Sequence, residues 1–130
     1  MILVLGASGQ DGKIIQDYFV KLKRHDIILV DRNKNILTNS FINIIGDLND
    51  FDFINEIIKK HKISHIFNFA TSSFVNRESS GQILNRTCKV FQNLIKSIEI
   101  NKKKKIWIFH PLSSEVFGNP KSPEQGLSTA

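Results

Sequence analysis

The stretch "ILVLGASGQDGKII" constrains the chain more than any other. Four apolar residues run directly into glycines at positions 6, 9 and 12, and an amphipathic segment follows. A short apolar run that breaks on glycine and resumes with helical spacing predicts a strand, a tight turn and a helix. Glycine in such a turn lets the backbone approach a ligand with no side chain in the way. The N–H groups that open the helix then face into the turn, and the helix dipole favours an anion there. Gly6, Gly9 and Gly12 therefore read as a cradle for a dinucleotide pyrophosphate. Their G-x-x-G-x-x-G spacing is one residue off the G-x-G-x-x-G fingerprint. The plain alternative is an ordinary glycine-rich turn.

The rest of the chain repeats the alternation of short apolar runs and amphipathic segments. Lys13 to Lys23 predicts a helix with Ile14, Ile15, Tyr18, Phe19 and Leu22 on its apolar face, which puts Tyr18 in the core. "DIILVD" and "SFINIIGD" predict the second and third strands. Asn49 or Asp50 can cap a helix that carries Phe53, Ile54, Ile57 and Ile58. "SHIFNFA" is a fourth strand, residues 82 to 100 a long helix with Leu84, Val90, Phe91, Leu94, Ile95 and Ile98 apolar, and "KIWIFHP" a fifth strand. The expected fold is α/β, a doubly wound parallel sheet of Rossmann type in three layers, with right-handed crossovers placing helices on both faces. Residues 1 to 130 form one domain, and "GNPKSPEQGLSTA" reads as loop. With no sixth strand, the domain is expected to be incomplete at its C-terminus and to leave one sheet edge exposed. A marginal monomer or an associated species, such as a homo-oligomer, is expected.

Two acidic positions extend the reading of the glycine turn. Asp31 ends the second strand, 19 positions after Gly12, where a carboxylate accepts hydrogen bonds from adenosine ribose hydroxyls and favours NAD. Arg32 follows at once and can instead pair with the 2′-phosphate of NADP. The cofactor is NAD or NADP, with a lean to NAD. Asp47, just past the third strand, can accept from the adenine amino group while Leu48 covers the ring. Either aspartate can also be a plain turn residue.

Charge and composition remove other classes. The net charge of +6 comes from dispersed lysines, and only "NKKKKI" is a cluster, placed like a solvated helix end. No nucleic-acid-binding motif accompanies it, so no such partner is expected. No apolar run approaches the roughly 20 residues that span a bilayer. The single cysteine, Cys88, excludes an intrachain disulfide and fits a reducing cytoplasm. His25, His61, His65 and His110 match no metal-ligand spacing, so no metal site is expected.

Four stretches, "GASGQDG", "GDLND", "HIFNFATSSFV" and "PLSSEVFGNP", resemble in order the N-terminal part of extended short-chain dehydrogenase/reductases, the NAD-dependent epimerase/dehydratase family acting on nucleotide sugars. Within it, Gly9-Gln10-Asp11-Gly12 is similar to the glycine loop of the GDP-mannose 4,6-dehydratases, which adds Gln10 and Asp11 to the cofactor residues. The third stretch resembles a strand end of Asn-Leu-Ala-Ala whose last residues lie beside the cofactor. Asn68 and Ala70 match it, whereas Phe69 and Thr71 depart from it. The resemblance implies that Phe69 and Ala70 border the cofactor. Asn85 matches the place of a structural asparagine of the family.

The fourth stretch resembles the segment holding the catalytic Ser or Thr, with Phe117-Gly118 standing where Tyr-Gly is usual. By resemblance, Ser113 orients the sugar O4 and Glu115 removes the C5 proton on the way to a 4-keto-6-deoxy product. In extended backbone the two project to one side and Ser114 to the other. Hydrogen bonding within the loop and an exposed charge are the plain alternatives. The family's base is a tyrosine with a lysine four residues on, and no Tyr-x-x-x-Lys occurs in these 130 residues. A non-catalytic dinucleotide-binding or sensing module is the competing reading. This polypeptide alone is expected to form no 4-keto sugar from a nucleotide sugar; mass-spectrometric detection of that product would overturn the expectation.

Overall fold

Parallel neighbours in a sheet cannot be joined by a hairpin, so every step between them requires a crossover, usually a helix. The computed structural model of the protein describes residues 1–33, 39–70, 80–103 and 105–111, and for 80–87 the helical backbone alone. Its elements are β1 (Ile2–Leu5), α1 (Gln10–Lys21), β2 (Ile27–Asp31), β3 (Ile42–Ile45), α2 (Phe51–Lys60), β4 (His65–Asn68), α3 (Ser80–Ile100) and β5 (Trp107–Phe109). The strands form one parallel sheet in the order β3-β2-β1-β4-β5. The chain moves outward from β1 through β2 to β3, then returns to the other flank of β1 and continues to β5. The predicted doubly wound sheet is what forms.

Every residue of β1 and β2 is buried. This is why both read as unbroken apolar runs: helices cover the two faces. Ile2 and Val4 of β1 and Ile27 and Leu29 of β2 point to one face, where they meet Ala7, Ile15, Phe19 and Phe41. Leu3, Leu5, Ile28, Val30 and Ile66 point to the other, against Ile54, Ile57 and Ile58 of α2 and Val90 and Leu94 of α3. Strand alternation thus sorts the apolar residues into two cores. No helix among the described residues is long and apolar enough to cross a membrane.

At the start of α2 the cap is Asp50: its Oδ1 accepts from the N–H of Asp52 at 2.9 Å and of Phe53 at 3.4 Å. Such a cap contributes about 1 kcal/mol. The apolar face of α2 lies where it is predicted, with Ile54, Ile57 and Ile58 buried.

On α1 the prediction needs correction. Tyr18 is 55% exposed, not core, and Ile14 and Leu22 are exposed with it. The buried positions are Gly12, Gln16 and Phe19. A Cβ at Gly12 would lie 2.5 Å from the carbonyl oxygen of Ala7 and 2.6 Å from that of Gly6. The helix therefore rests on the glycine turn at Gly12, and that contact sets its rotation about its own axis. Phe19, seven residues on, falls on the same side, while Tyr18 is turned about 100° away.

At the β5 edge of the sheet the two sides of the strand differ. Ile108 packs against the core beside α3, but Trp107 is 73% exposed and Phe109 is exposed with it. Rings of Phe67, Phe69 and Phe109 contact one another on the α1 side of the sheet, with Phe67 also against Phe19.

Phe19→Ala is expected to lower the unfolding free energy by about 3–5 kcal/mol, and Tyr18→Ala by about 0.5 kcal/mol or less. Urea midpoints at unchanged m value check this. Equal losses would return Tyr18 to the core.

Candidate functional site

The strand order reverses at β1, and the crevice at such a reversal, outside the carboxyl ends of the strands, is where doubly wound sheets take ligands. The glycine turn stands there. Gly6 has φ of 73°, and a Cβ on it would lie 2.8 Å from Phe69 C and O and Ala70 N. Both the backbone conformation and the contact with the β4 end require glycine. The turn is anchored to β2 by N–H donation from Gly6 (3.0 Å) and Ala7 (3.3 Å) to the carbonyl of Val30. Gly9 is the N-cap of α1 and supplies no side-chain cap. The N–H of Lys13 reaches the Gly9 carbonyl at 3.0 Å, so those of Gln10, Asp11 and Gly12 have no intrahelical acceptor. Such unpaired N–H groups at the start of a helix are what an anion cradle requires.

Asp31 closes the turn from the side. Its Oδ2 accepts from the N–H of Ser8 at 2.8 Å, and its Oδ1 from that of Asn33 at 3.2 Å. The residue is 8% exposed. Burial pushes the carboxyl up, but hydrogen bonds from the Ser8 N–H and hydroxyl and from the Asn33 and Arg32 N–H groups together outweigh it and hold it below the usual carboxylate range. An ionised carboxylate is thus fixed against the glycine turn. Arg32, next in the chain, is exposed.

The third part is the turn after β3. The N–H of Gly46 donates to the Asp31 carbonyl at 3.0 Å, tying this turn to β2. Asp47 Oδ1 accepts from both the N–H (2.9 Å) and the side-chain Nδ2 (3.0 Å) of Asn49. Leu48 is only 7% exposed and packs in the core under α2 and α3, so it anchors the turn and offers little surface to a ring. At β4, the N–H of Phe69 donates to the Leu5 carbonyl at 2.9 Å and that of Ala70 to Asn68 Oδ1 at 3.2 Å. This bends the strand end across the turn at Gly6. His110, past β5, places Nδ1 3.2 Å from the Asn68 carbonyl oxygen and stacks near Phe91, so it is a packed strand end.

The structure thus brings Gly6, Gly9, Gln10, Asp11, Gly12, Asp31, Arg32, Asp47, Leu48, Phe69 and Ala70 to one end of the sheet. Ser113 and Glu115 lie outside the described residues, as do Thr71 and the side chain of Asn85. Among the described residues, no three His, Cys, Asp or Glu side chains gather in a way that could hold a metal ion. Three supporting residues escape the sequence reading. Ser8 contributes the bond to Asp31. Gln16 is buried and donates to the Ala7 carbonyl at 2.7 Å and that of Gly12 at 3.1 Å, stitching α1 to the turn. A polar residue three before buried Phe19 and four after Gly12 is the signal that could have shown it. Asn93 of α3 reaches the turn after β3.

A parallel sheet with helices on both faces, a glycine turn at its reversal and an acidic residue closing β2 defines a dinucleotide-binding domain of Rossmann type. The sequence profile of the GDP-mannose 4,6 dehydratase family matches residues 3–129, and the chain belongs to that family. No curated protein matches it in sequence. Among solved structures, a UDP-glucose 4-epimerase is 20% identical with a TM-score of 0.79, covering 99% of this chain and 40% of its own. The Bordetella bronchiseptica enzyme WbmH, solved in complex with NAD+, is 14% identical at 0.80, with 99% and 45% covered. The UDP-Glc/GlcNAc 4-epimerase of Campylobacter jejuni is 21% identical at 0.79, with 99% and 42% covered. The chain therefore spans about two fifths of the length of these proteins.

The lowered Asp31 carboxyl stabilises the fold above its unfolded value, near pH 4, and loses that contribution as pH falls through the folded value. The gap in melting temperature between the parent chain and Asp31→Asn should be widest near neutrality and narrow below about pH 4. A gap that widens with acid would contradict the assignment.

Proposed function

We propose that this chain is the cofactor-binding portion of a nucleotide-sugar 4,6-dehydratase, that it binds NAD in preference to NADP, and that GDP-mannose is the substrate class of the complete enzyme. The observation that carries the cofactor reading is the Asp31 carboxylate held against the glycine turn by the Ser8 N–H. The residues present fit a dinucleotide. Gly6 and Gly12 let the end of β4 and the start of α1 close against the turn with no Cβ between them, and the unpaired N–H groups that open α1 suit a pyrophosphate. A ribose hydroxyl can take the place of the Ser8 hydroxyl among the donors to this carboxylate, while the backbone N–H groups keep it fixed. Its charge opposes a 2′-phosphate at the same spot, and this outweighs the exposed Arg32.

When bound, such a cofactor supplies reversible hydride acceptance. The chain's own groups divide the remaining work. Gly6 to Gly12 bind the pyrophosphate, Asp31 binds the adenosine ribose, and Asp47 accepts from the adenine amino group. Phe69 and Ala70 border the cofactor at the β4 end. Ser113 hydrogen-bonds the sugar O4 and orients it, and Glu115 takes the C5 proton; both roles rest on the resemblance of "PLSSEVFGNP" to the family segment. The WbmH structure contains NAD+ and two of the similar structures are epimerases of UDP-sugars, which supports a nicotinamide cofactor and a nucleotide-sugar substrate here. The absence of Tyr-x-x-x-Lys from the 130 residues favours, as a second reading, a module that binds the cofactor without turnover.

Calorimetric titration is expected to show NAD+ binding at least about tenfold tighter than NADP+, with the preference reduced in Asp31→Ala. Equal affinities in the parent chain would overturn the NAD assignment.

A further inference from the structure

Asn93 and Ser97 of α3 and Asn101, the residue just past its end, recur at four-residue spacing and so share one face. That face meets α2 and the turn preceding it. At one end, Asn101 Nδ2 donates to Asn55 Oδ1 of α2 at 2.7 Å and to the Ser97 carbonyl at 2.8 Å. At the other, Asn93 Nδ2 donates to the Asn49 carbonyl at 3.0 Å and, more loosely, to the Leu48 carbonyl at 3.4 Å. Val90 and Leu94, on the adjoining face, are buried against the sheet. An apolar side chain would extend that core, so the amide at position 93 is explained by the two carbonyls it satisfies.

Those carbonyls belong to the two residues that follow Asp47. Asn49 is also the residue whose N–H and Nδ2 both donate to Asp47 Oδ1. A chain of hydrogen bonds therefore runs from Asn93 through Asn49 to the Asp47 carboxylate. The same turn is held at its other end by the bond from the Gly46 N–H to the Asp31 carbonyl. With Leu48 buried in the core, the main chain on both sides of Asp47 has little freedom left.

We propose that Asn93 is a positioning residue for the adenine end of the cofactor site: by fixing the Leu48 and Asn49 carbonyls it sets where the Asp47 carboxylate stands. The inference rests on the reading of Asp47 as acceptor of the adenine amino group. A structural role alone would weaken the fold or all ligands equally. A positioning role affects recognition of that amino group.

The test is calorimetric titration of the 130-residue chain with NAD+ and with its hypoxanthine analogue, in which a carbonyl oxygen replaces the amino group. The parent chain should prefer NAD+ by about tenfold, the worth of one hydrogen bond to a charged group. In Asn93→Ala, NAD+ affinity should fall to near that of the analogue, whose own affinity stays within about twofold of its parent value. Asn101→Ala, which cuts the bond to α2 and leaves the turn alone, should lower the melting temperature and keep the preference. If Asn93→Ala does not fold, Asn93→Leu, close in volume, carries the same expectation. A preference for NAD+ that persists in a folded Asn93 variant overturns the inference, as does an equal loss for both ligands. No preference in a parent chain that binds NAD+ overturns it at Asp47, with cofactor binding intact. Failure of the parent chain to bind NAD+ overturns the proposed function and this inference with it.

Discussion

The contact between the glycine turn and its neighbours is what the remainder of the structure depends on. Gly6 lies directly against the backbone of Phe69 and Ala70, and Gly12 against the carbonyls of Gly6 and Ala7. Both are backbone-to-backbone contacts, with no flexible side chain to yield, so a Cβ at either place would have to move a strand end or a helix. From the first contact follows the closeness of β1 and β4 at the crevice. From the second follows the rotation of α1, and with it which of its side chains reach the sheet.

The two faces of the sheet have different histories of coverage. The face under α2 and α3 is filled, and along the seam between the two helices Asn101 binds Asn55 of α2 and Asn93 binds the turn before it. The face under α1 is filled over β1 and β2, whereas over β5, among the described residues, Trp107 and Phe109 stand exposed. One helix can cover about two strands, so α1 cannot also reach the outer edge. The site belongs to the boundary between these regions, at the strand ends, where backbone groups are not consumed by the sheet ladder.

Much of this was legible in the residues. Ile2 to Leu5 and Ile27 to Asp31 could only be buried strands, since an apolar run of that length bounded by glycine or charge has few other uses. The face of α2 was legible because Ile54, Ile57 and Ile58 repeat at helical spacing with a capping aspartate ahead of them. The face of α1 was not, because Ile14, Tyr18 and Leu22 form an equally regular apolar stripe. Periodicity measures the existence of a stripe and not which way it points. Gln16, a buried polar residue, marked the true face, but a glutamine among apolar residues reads as solvent-facing until its two carbonyl acceptors are seen. Asn93 was hidden for the same reason: its acceptors lie more than forty residues away in the chain.

By itself, then, the sequence determined the alternation of strand and helix, the glycine turn and the acidic residue that ends the second strand, because these are local: they depend on spacing, on glycine's missing Cβ and on apolar runs of a given length. Tertiary structure alone decided the rotation of α1, the burial of Leu48, the charge state of Asp31 under competing burial and hydrogen bonding, and the bond from Asn93 to the turn after β3. Each of these depends on what another part of the chain brings within about 3 Å, and no local pattern of residues records that distance.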